Sequence, residues 1–493
     1  MGRVNPRQLS FVFADSPEGG GGKKTDGVPE VKAWLLRIAK SKESHKLTAR
    51  EAGNTQLLEQ VASPGNLAKA LRKVARNKGA PGLDGRSVDE VVKNARSLLP
   101  KLRHALLTGS YRPGDIRRVW IPKPNGGQRG LGIPNVVDRW VQQAVLQILE
   151  PIFEPLFHNS SHGFRPERGA HTAIAEAKRY VAEGYKVVVD IDISKFFDHV
   201  NHQRLLNRLA QCVKDGRVLK LIHRMLRAKV VMPDGTKVIV EEGTPQGGPL
   251  SPMLSNVVLD ELDQELDRRG LHFVRYADDC NIYVRSRRAG LRVMDSVRQV
   301  LNKRLRLRIN EEKSSVSRFD RVHFLGFRLG MNRKGRIEVH LSKRSIKRIK
   351  TRIREMTPRT WGSTLKACMD QLNKYLKGWE AYFDICTERG VQIFKKFDAH
   401  IRRRLRMIII KQKKRPRYLF RHLLSRGVPR VYAAKSAFAR RGWWFRSNTT
   451  GINMAYPIAW FDGRLISLFQ LWEKRHAKPV RASDGQLLLP FAG

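Results

Sequence analysis

Two aspartates stand side by side inside an otherwise apolar pattern, FVRYADDCNIYV at residues 273–284. Alternating Phe, Val, Tyr and Ile predict two short buried strands joined by a tight turn at the aspartates. Adjacent carboxylates repel each other and lose hydration energy when they are partly buried. A fold that keeps Asp278 and Asp279 at this turn is therefore expected to offset their repulsion with a bound cation.

A second strand pattern, KVVVDIDI at residues 186–193, carries two further carboxylates. Asp190 and Asp192 are two residues apart, so on a strand they share one face. Asp198 follows, where its residue type also suits a helix cap. Divalent cations held by carboxylates from different strands suit in-line displacement at phosphorus. Each pattern alone is weak, since Asp-Asp in a hairpin is more often a turn, but the pair indicates a nucleotidyl transferase.

The chain is strongly basic, with 95 Lys and Arg against 45 Asp and Glu in 493 residues, a formal net charge of +50. This excess favours a polyanionic partner. Nucleic acid is favoured over a membrane surface, because no apolar run approaches the roughly 18 residues of a membrane span. The four cysteines form no CxxC pair, which fits a reducing cytosol and leaves Asp to hold any catalytic metal.

The positive charge is densest towards the C-terminal part, where residues 341–420 hold 23 Lys and Arg and six acids, or 23 − 6 = +17. Ile346, Ile349 and Ile353 recur there at helical spacing among basic residues, which predicts an amphipathic helix with a basic outer face. The run RRRLRMIIIKQKKRPR at residues 402–417 is followed closely by aromatic residues, a combination that can contact unpaired bases. A solvated basic face is the alternative.

Six blocks occur in a fixed order along the chain: IPKPNGGQRGLGIP at 121–134, HGFRPERGAHTAI at 162–174, DISKFFDHVNH at 192–202, TPQGGPLSP at 244–252, FVRYADD at 273–279 and LNKYLKGWEAYF at 372–383. Together they resemble the reverse-transcriptase blocks and the maturase signature of bacterial group II intron-encoded proteins. The resemblance implies an α+β right-hand polymerase with fingers and palm. A helical thumb or maturase domain and a small C-terminal DNA-binding segment are expected to follow.

Four segments are expected. The polar residues 1–60, interrupted by SPEGGGGKKTDG, predict a mostly flexible N-terminal extension with a helical piece near Val31–Lys40. The resemblance implies fingers and palm over residues 61–342, the thumb or maturase domain over 343–420, and a DNA-binding segment over 421–493. Many members of the family end in an endonuclease built from Cys and His pairs. No cysteine follows Cys386. The endonuclease is therefore expected to be absent, as in class C members.

The resemblance also assigns roles at the matching positions. Asp192, Asp278 and Asp279 correspond to the catalytic, metal-binding carboxylates, with Asp190 as an alternative ligand. Phe197 corresponds to the steric gate, where a bulky ring under the sugar would clash with a 2′-hydroxyl. Core packing is the alternative interpretation of Phe197.

Further contacts follow from the same blocks. Lys123 and Arg129 in the fingers hairpin are expected to bind the incoming triphosphate, because Arg presents a bidentate fork to phosphate and Lys a point charge. Gln246 is expected beside the nucleotide and the nascent pair, and Arg165 near the template or nucleotide. The remaining expected nucleic-acid contacts are Leu325, Gly326 and Phe327 in the primer-grip turn, and Arg402, Arg403, Arg404, Arg406, Lys413, Lys414 and Arg415 in the basic run.

The expected function is that of an RNA-directed DNA polymerase that copies intron RNA into cDNA during retrotransposition and binds the intron RNA as a splicing maturase. Two Mg²⁺ ions are expected, with Mn²⁺ able to substitute. The expected partners are intron RNA, target DNA, a primer strand and dNTPs, without a membrane or an obligate protein partner, in the bacterial cytoplasm as a ribonucleoprotein. The alternatives are a domesticated reverse transcriptase in phage defence or linked to CRISPR, and an RNA-folding maturase without polymerase activity.

Overall fold

The computed structural model describes residues 28–39, 56–122, 126–359, 362 and 364–476. These residues form two compact units that divide between Arg318 and Phe319. Within the described ranges, no helix combines the length and the apolar character needed to cross a membrane.

A four-stranded antiparallel sheet in the first unit contains the predicted hairpin and has the strand order β6-β7-β3-β8. Its strands are β3 (Val187–Asp192), β6 (His272–Tyr276), β7 (Asp279–Val284) and β8 (Ser315–Arg318). Both predicted strand segments are therefore confirmed. β-Branched and aromatic residues suit a pleated, half-buried surface. One face of the sheet presents Val189, Ile191, Cys280 and Ile282 to the core, all of them without exposed surface.

Helices pack around this sheet, and local sequence signals mark where some of them begin. Ser63 accepts a hydrogen bond from the backbone N–H of Asn66 and so caps the helix that starts at Pro64. The α-helices described in the first unit are α1 (Val28–Ala39), α2 (Leu57–Val61), α3 (Pro64–Arg76), α4 (Val88–Lys93), α5 (Ala95–Leu107), α6 (Val136–Phe153), α7 (Ala170–Ala182), α8 (His202–Cys212), α9 (Gly216–Leu226), α10 (Ser251–Arg268) and α11 (Arg287–Val300).

Helix α1 lies within the predicted N-terminal extension. A helix predicted near residues 31–40 is observed, and its residues Val31, Leu35 and Ala39 are buried in the core of the first unit. Burying one apolar face ties this helix to α3, against which it packs. The other residues of the predicted extension up to residue 55 lie outside the described ranges.

A second sheet of the first unit, with the order β2-β1-β4-β5, contains the predicted fingers hairpin. Its strands are β1 (Ile116–Pro122), β2 (Gln128–Ile133), β4 (Val230–Val231) and β5 (Lys237–Val238). β1 and β2 pair antiparallel, and residues 123–125 between them lie outside the described part of the chain. The N–H of Gly132 donates to the carbonyl of Gln246 at 2.8 Å, which attaches the TPQGG loop to this hairpin.

The second unit contains one described β-hairpin, β9 (Phe327–Met331) with β10 (Ile337–Leu341), and otherwise helices. The predicted amphipathic helix is confirmed as the first of them, because Ile349 and Ile353 have no exposed surface. The helices described in this unit are α12 (Lys343–Met356), α13 (Leu365–Phe383), α14 (Glu388–Gln412), α15 (Pro416–Leu424), α16 (Arg430–Ala437), α17 (Trp443–Arg446), α18 (Thr450–Ala455), α19 (Ile458–Phe461) and α20 (Leu468–His476).

The structural division between the units precedes the predicted palm–thumb boundary at residue 342. The β9–β10 hairpin packs with the helices that follow it: Thr387 N–H donates to the carbonyl of Val339 at 3.0 Å, and Ser345 Oγ donates to the carbonyl of Gly326 at 2.8 Å. The hairpin is thus part of the second compact unit. The functional boundaries at residues 342 and 420 stay predictions.

Candidate active site

The hairpin that carries the two aspartates turns on Ala277 and Asp278. Tyr276, the last residue of β6, pairs with Asp279, the first residue of β7. A two-residue hairpin loop requires positive φ angles, and Ala277 accordingly has a φ of 58°. This conformation is unusual for a residue other than glycine. The turn places Asp278 at the tip and Asp279 at the first position of the strand.

Strand β3 brings a third carboxylate to this tip. Asp192 lies directly opposite Asp279, and Asp190 lies opposite Asn281. Directly opposed residues of antiparallel strands share a face, with β-carbons roughly 4.5–5.5 Å apart. Asp190, Asp192 and Asp279 therefore lie on one face of the sheet, with Asp278 at its edge. The predicted shared face of Asp190 and Asp192 is confirmed.

The charged forms of Asp278 and Asp279 are disfavoured at the tip of the hairpin. Burial, and then the charge of Asp192, raises the pKa of Asp278. Burial, followed by the charges of Asp278, Asp190 and Asp192, raises the pKa of Asp279 to about 7. Asp279 also keeps exposed surface, and water there weakens the repulsion without removing it.

One lysine faces this group of carboxylates: Lys313 Nζ lies 3.5 Å from each carboxylate oxygen of Asp192. Among the described residues, no three His, Cys, Asp or Glu side chains are grouped closely enough to hold a metal ion as they stand. The donor set still fits a divalent cation, because Mg²⁺ prefers carboxylate oxygens. Burial first, and neighbouring carboxylates second, raise the pKa values of Asp278 and Asp279, and a cation would offset both effects. Asp192, Asp278 and Asp279 are the residues that could hold it.

A fully buried ion pair between Arg275 and Asp263 of α10 fixes the hairpin next to its tip. Arg275 Nε donates to Asp263 Oδ1 at 2.7 Å. Arg275 Nη1 donates to the carbonyl of Ala277 at 2.9 Å and to Asn256 Oδ1 at 3.0 Å, and Nη2 donates to Ser161 Oγ at 2.8 Å. The bond to Ala277 holds the turn that carries Asp278. Arg275 is therefore a positioning residue for the carboxylates.

The HGFRP block packs along the outer edge of β6. The N–H of His162 donates to the carbonyl of Arg275, and the N–H of Arg275 donates to the carbonyl of Ser160, both at 2.8 Å. A β-carbon at Gly163 would lie 2.3 Å from the nitrogen of Ala277. Glycine at this position thus permits the loop to contact the turn directly.

Arg165 of the same block is bound within the fold, and its predicted contact with template or nucleotide stays a prediction. Its side chain is buried, and Nε donates to Glu154 Oε1 at 2.9 Å. Nη1 donates to the carbonyls of His158 at 2.6 Å and Ser161 at 2.9 Å. The guanidinium already binds acceptors of the fold, so Arg165 stabilises the loop between α6 and α7.

The fingers hairpin contributes a basic residue to the carboxylate site. Arg129 Nε donates to Gln246 Oε1 at 2.9 Å, and the charge of Arg129 partly offsets the rise in the pKa of Asp278. Arg129 is exposed and so accessible to a ligand. The structure therefore brings Arg129, Gln246 and Asp278 together, whereas Lys123 lies outside the described residues.

Phe197 lies beside the loop that contains Gln246. It belongs to a short 3₁₀-helix, Phe196–Asp198, and its carbonyl accepts a hydrogen bond from the N–H of Thr244 at 2.7 Å. Phe196 lies in the core, with 1% of its surface exposed, and Phe197 is half-buried and packs against that core. Their rings meet edge to face with centroids 5.2 Å apart. The steric-gate role of Phe197 stays a prediction.

In the second unit, the expected primer-grip residues form a tight turn. Leu325 and Gly326 have φ angles of 51° and 85°, and the N–H of Phe327 donates to the carbonyl of Phe324 at 2.8 Å. Tyr382 Oη donates to the carbonyl of Leu325 at 2.9 Å. The Phe327 ring is 1% exposed, which contradicts a direct contact of that ring with a primer. The contacts of Leu325 and Gly326 stay predictions.

Helix α14 buries some arginines of the basic run and leaves others accessible to solvent. Arg404 Nε donates to Thr357 Oγ1 at 2.9 Å, and Arg406 Nε donates to the carbonyl of Tyr456 at 3.0 Å. Both arginines are buried, and burial lowers the pKa of each. These guanidinium groups bind acceptors within the second unit, and the predicted nucleic-acid contacts of Arg404 and Arg406 stay predictions.

The other residues of the basic run keep accessible surface. Arg402, Arg403 and Lys413 are half-buried, and Lys414 and Arg415 are exposed. Their contacts with nucleic acid stay predictions.

Sequence reasoning missed the network around Arg275, namely Asp263, Asn256 and Ser161, and also missed Lys313. One signal was available, because Arg275 interrupts an apolar strand pattern. A charge at such a position is tolerated only with a buried partner. The partner lies on α10, 12 residues earlier in the chain, and nothing in its local pattern marks it.

The fold and this site define the class of right-hand polymerases, and the comparison with known families agrees. Residues 121–329 match the family described as "Reverse transcriptase (RNA-dependent DNA polymerase)". Residues 346–427 match "Group II intron, maturase-specific domain".

Sequence similarity to known proteins identifies the family of this chain. Protein YkfC of Escherichia coli (strain K12) is 36% identical over 317 residues, which cover 56% of this chain and 82% of YkfC. The group II intron-encoded protein LtrA of Lactococcus lactis subsp. cremoris is 29% identical over 350 residues, which cover 58% of this chain and 58% of LtrA. The chain belongs to the family of group II intron-encoded reverse transcriptases and maturases.

The chain also resembles a solved chain of the "Partial Cas6-RT-Cas1--Cas2 complex". That likeness covers 50% of this chain and 42% of the other, with a TM-score of 0.33 and 24% identity. It is too slight to carry an argument about function.

Replacing Arg275 by Met is expected to lower the free energy of unfolding by about 3–5 kcal/mol, because Asp263 then keeps a buried charge without its partner. Replacing both residues, Arg275→Met with Asp263→Leu, is expected to recover a large part of this loss. Denaturant unfolding followed by circular dichroism measures both variants against the unsubstituted protein. A double variant no more stable than Arg275→Met alone would contradict the assigned pairing.

Proposed function

We propose that this protein is an RNA-directed DNA polymerase that copies its intron RNA into cDNA during retrotransposition, and that it binds the same RNA as a splicing maturase. The observation that carries the proposal is the register of β3 and β7, in which Asp192 lies opposite Asp279 at the tip formed by Asp278. The reverse-transcriptase and maturase matches support both activities at the level of the family.

Asp192, Asp278 and Asp279 are the proposed catalytic and metal-binding carboxylates. The proposed cofactors are two Mg²⁺ ions, which Mn²⁺ can replace. When bound, such ions would stabilise the charge that develops on the oxygens around phosphorus during displacement. The raised pKa values of Asp278 and Asp279 support this role, because burial and neighbouring carboxylates disfavour their charged forms and a bound cation would offset both effects.

The proposed dNTP site lies next to the carboxylates of the hairpin tip. Arg129 suits a triphosphate, because its guanidinium offers parallel donors to phosphate oxygens. Its bond to Gln246 orients it, and its charge reaches Asp278. Phe197, beside the loop of Gln246, is proposed to exclude a 2′-hydroxyl, and Lys123 to bind the triphosphate with Arg129.

The second unit is proposed to hold nucleic acid. The turn of Leu325 and Gly326 is proposed to contact the primer strand, and residues 421–493 the target DNA. Intron RNA is proposed to bind the accessible part of the basic run, which comprises Arg402, Arg403, Lys413, Lys414 and Arg415. The maturase-domain match over residues 346–427 supports RNA binding in this part of the chain.

Replacing Asp278 by Ala is expected to lower the rate of primer extension on an RNA template by more than about a hundredfold, since a lost metal ligand costs several kcal/mol of transition-state stabilisation. The assay uses Mg²⁺ and dNTPs and measures cDNA length and yield. Asp295→Ala is a matched control, because Asp295 is an exposed aspartate of α11 with 67% of its side chain accessible. Full extension by Asp278→Ala would refute the proposed polymerase site.

Replacing Phe197 by Ala is expected to raise the use of rNTPs relative to dNTPs by about tenfold or more, because a smaller side chain leaves room for the 2′-hydroxyl. Single-nucleotide incorporation with matched rNTP and dNTP pairs measures the ratio of kcat/KM values. If Phe197 only packs against the core, the variant would lose stability and incorporate both nucleotides less well at an unchanged ratio.

Replacing Asp279 by Asn is expected to raise the melting temperature of the EDTA-treated protein, because one of the repelling charges is removed. Added Mg²⁺ should raise the melting temperature of this variant by less than it raises that of the unsubstituted protein. Thermal unfolding with and without Mg²⁺ measures both effects, with Asp295→Asn as the control. If Mg²⁺ raised the melting temperature of the Asp279 variant as much as that of the unsubstituted protein, Asp279 would not be a metal ligand.

A further inference from the structure

A cavity of about 830 Å³ opens in the second unit between α14 and the segment from α17 to α19. Helix α14 contributes Lys396, His400, Arg402 and Arg403 to its wall, and the facing segment contributes Trp444 and Asn453. Its volume lies in the range of ligand sites, which is roughly 300–1,000 Å³.

The wall of the cavity carries positive charge. Arg406 adds to the basic side chains of α14, and no Asp or Glu occurs among the described residues that line the cavity. Burial, and then the charge of Arg402, lowers the pKa of Arg406 to about 10. Asp398, the acidic residue of α14 nearest in sequence, accepts hydrogen bonds from the N–H groups of Leu468 and Phe469. Asp398 also interacts with the charge of Arg402, so the positive charge of the wall is partly compensated. An anion in the cavity would be stabilised by the charge that remains.

The side chains on either side of the cavity are held in place. The guanidinium of Arg403 stacks on the Trp444 ring at 4.0 Å, and its only hydrogen bond within the described part of the chain is from Nη2 to the carbonyl of Trp444 at 2.9 Å. His400 also faces this ring, with centroids 5.6 Å apart. Arg403 is thus oriented while most of its donors remain for a ligand.

Two buried polar atoms in the wall have no hydrogen-bond partner among the described residues. They are Arg403 Nε, a donor, and Asn453 Oδ1, an acceptor. The amide orientation of Asn453 is fixed, because its Nδ2 donates to the carbonyl of Asn448 at 3.3 Å. Each of these atoms lacks a partner that a bound ligand or a water molecule could supply. A matching ligand would carry an anion for the arginines and a hydrogen-bond donor for Asn453.

We propose that this cavity binds one unpaired nucleotide of a nucleic-acid strand, with its phosphodiester held by Arg402 and Arg403. Its base would lie among Trp444, His400 and Ile458 and present a donor to Asn453. A nucleotide joins these properties in one ligand: an anion, a flat ring that packs on aromatic or guanidinium planes, and N–H donors at the base edge. The inference rests on the proposed nucleic-acid binding of the second unit and defines a built site within it. A smooth basic surface would bind phosphates without distinguishing paired from unpaired bases.

The test compares two variants of equal charge change in the full chain. Arg402→Gln with Arg403→Gln removes two charges from the cavity. Arg287→Gln with Arg288→Gln removes two charges from exposed positions on α11, which has no proposed role in binding. Fluorescence anisotropy measures the Kd for a single-stranded RNA, for the same sequence as single-stranded DNA, and for a blunt RNA duplex, all without dNTPs.

The cavity variant is expected to weaken single-stranded binding by roughly tenfold more than the α11 variant, since charge-assisted hydrogen bonds are lost. The duplex should be affected about equally by both variants. Comparing the Kd for single-stranded RNA with that for single-stranded DNA shows whether the 2′-hydroxyl contributes to binding. Equal losses in the two variants, or an equal loss for duplex and single strand, would overturn the proposal.

A second variant guards against misfolding, because Arg403 also contacts Trp444. Asn453→Asp keeps the size of the side chain and places a negative charge in the cavity, so it should weaken single-stranded binding while both arginines remain. Unchanged binding by this variant would also overturn the proposal. Repeating the measurement with Asp278→Ala separates the two hypotheses, because loss of polymerase activity would leave nucleotide binding in the cavity intact.

Discussion

The buried ion pair of Arg275 and Asp263 is the interaction on which the geometry of the carboxylate site depends. Taking two charges out of water is unfavourable unless their remaining donors and acceptors are also bonded. Here the guanidinium satisfies that condition, because its nitrogens reach Asp263, Asn256, Ser161 and the carbonyl of Ala277. A network satisfied in this way favours one arrangement of its parts. It joins α10, the loop before α7 and the turn of the hairpin.

Because the hairpin is anchored in this way, its tip can keep an unfavourable backbone conformation and repelling charges. Ala277 occupies a left-handed backbone conformation, and Asp192, Asp278 and Asp279 repel one another at the same edge. Without a rigid support, the tip could relax by opening the turn and separating the charges. Because Arg275 holds the Ala277 carbonyl, relaxation would break a buried network. The stable core thus holds together a cluster of charges that suits cation binding. Strained residues at functional sites generally persist because the surrounding structure holds them in place.

Sequence reasoning reached the parts of this site that follow from short-range periodicity. The alternation of side chains along a strand sufficed to place Asp190 and Asp192 on one face, and the hairpin pattern located Asp278. The pairing of Arg275 with Asp263 could not be predicted in this way, since it depends on how α10 packs against β6. For the same reason the sequence did not show that α1 is part of the core: its apolar residues mark a helix but not the surface that covers them.

The basic run shows why charge alone does not tell which arginines lie open to a nucleic acid. Successive residues of a helix point about 100° apart, so adjacent arginines of α14 face different surroundings. Arg404 bonds to the carbonyls of Arg354 and Thr357 at the end of α12, and Arg406 to the carbonyl of Tyr456 just after α18. The last carbonyls of a helix lack intrahelical donors, and a guanidinium can supply them. Part of the positive charge therefore terminates helices, and the contacts available to a nucleic acid are those that packing leaves open.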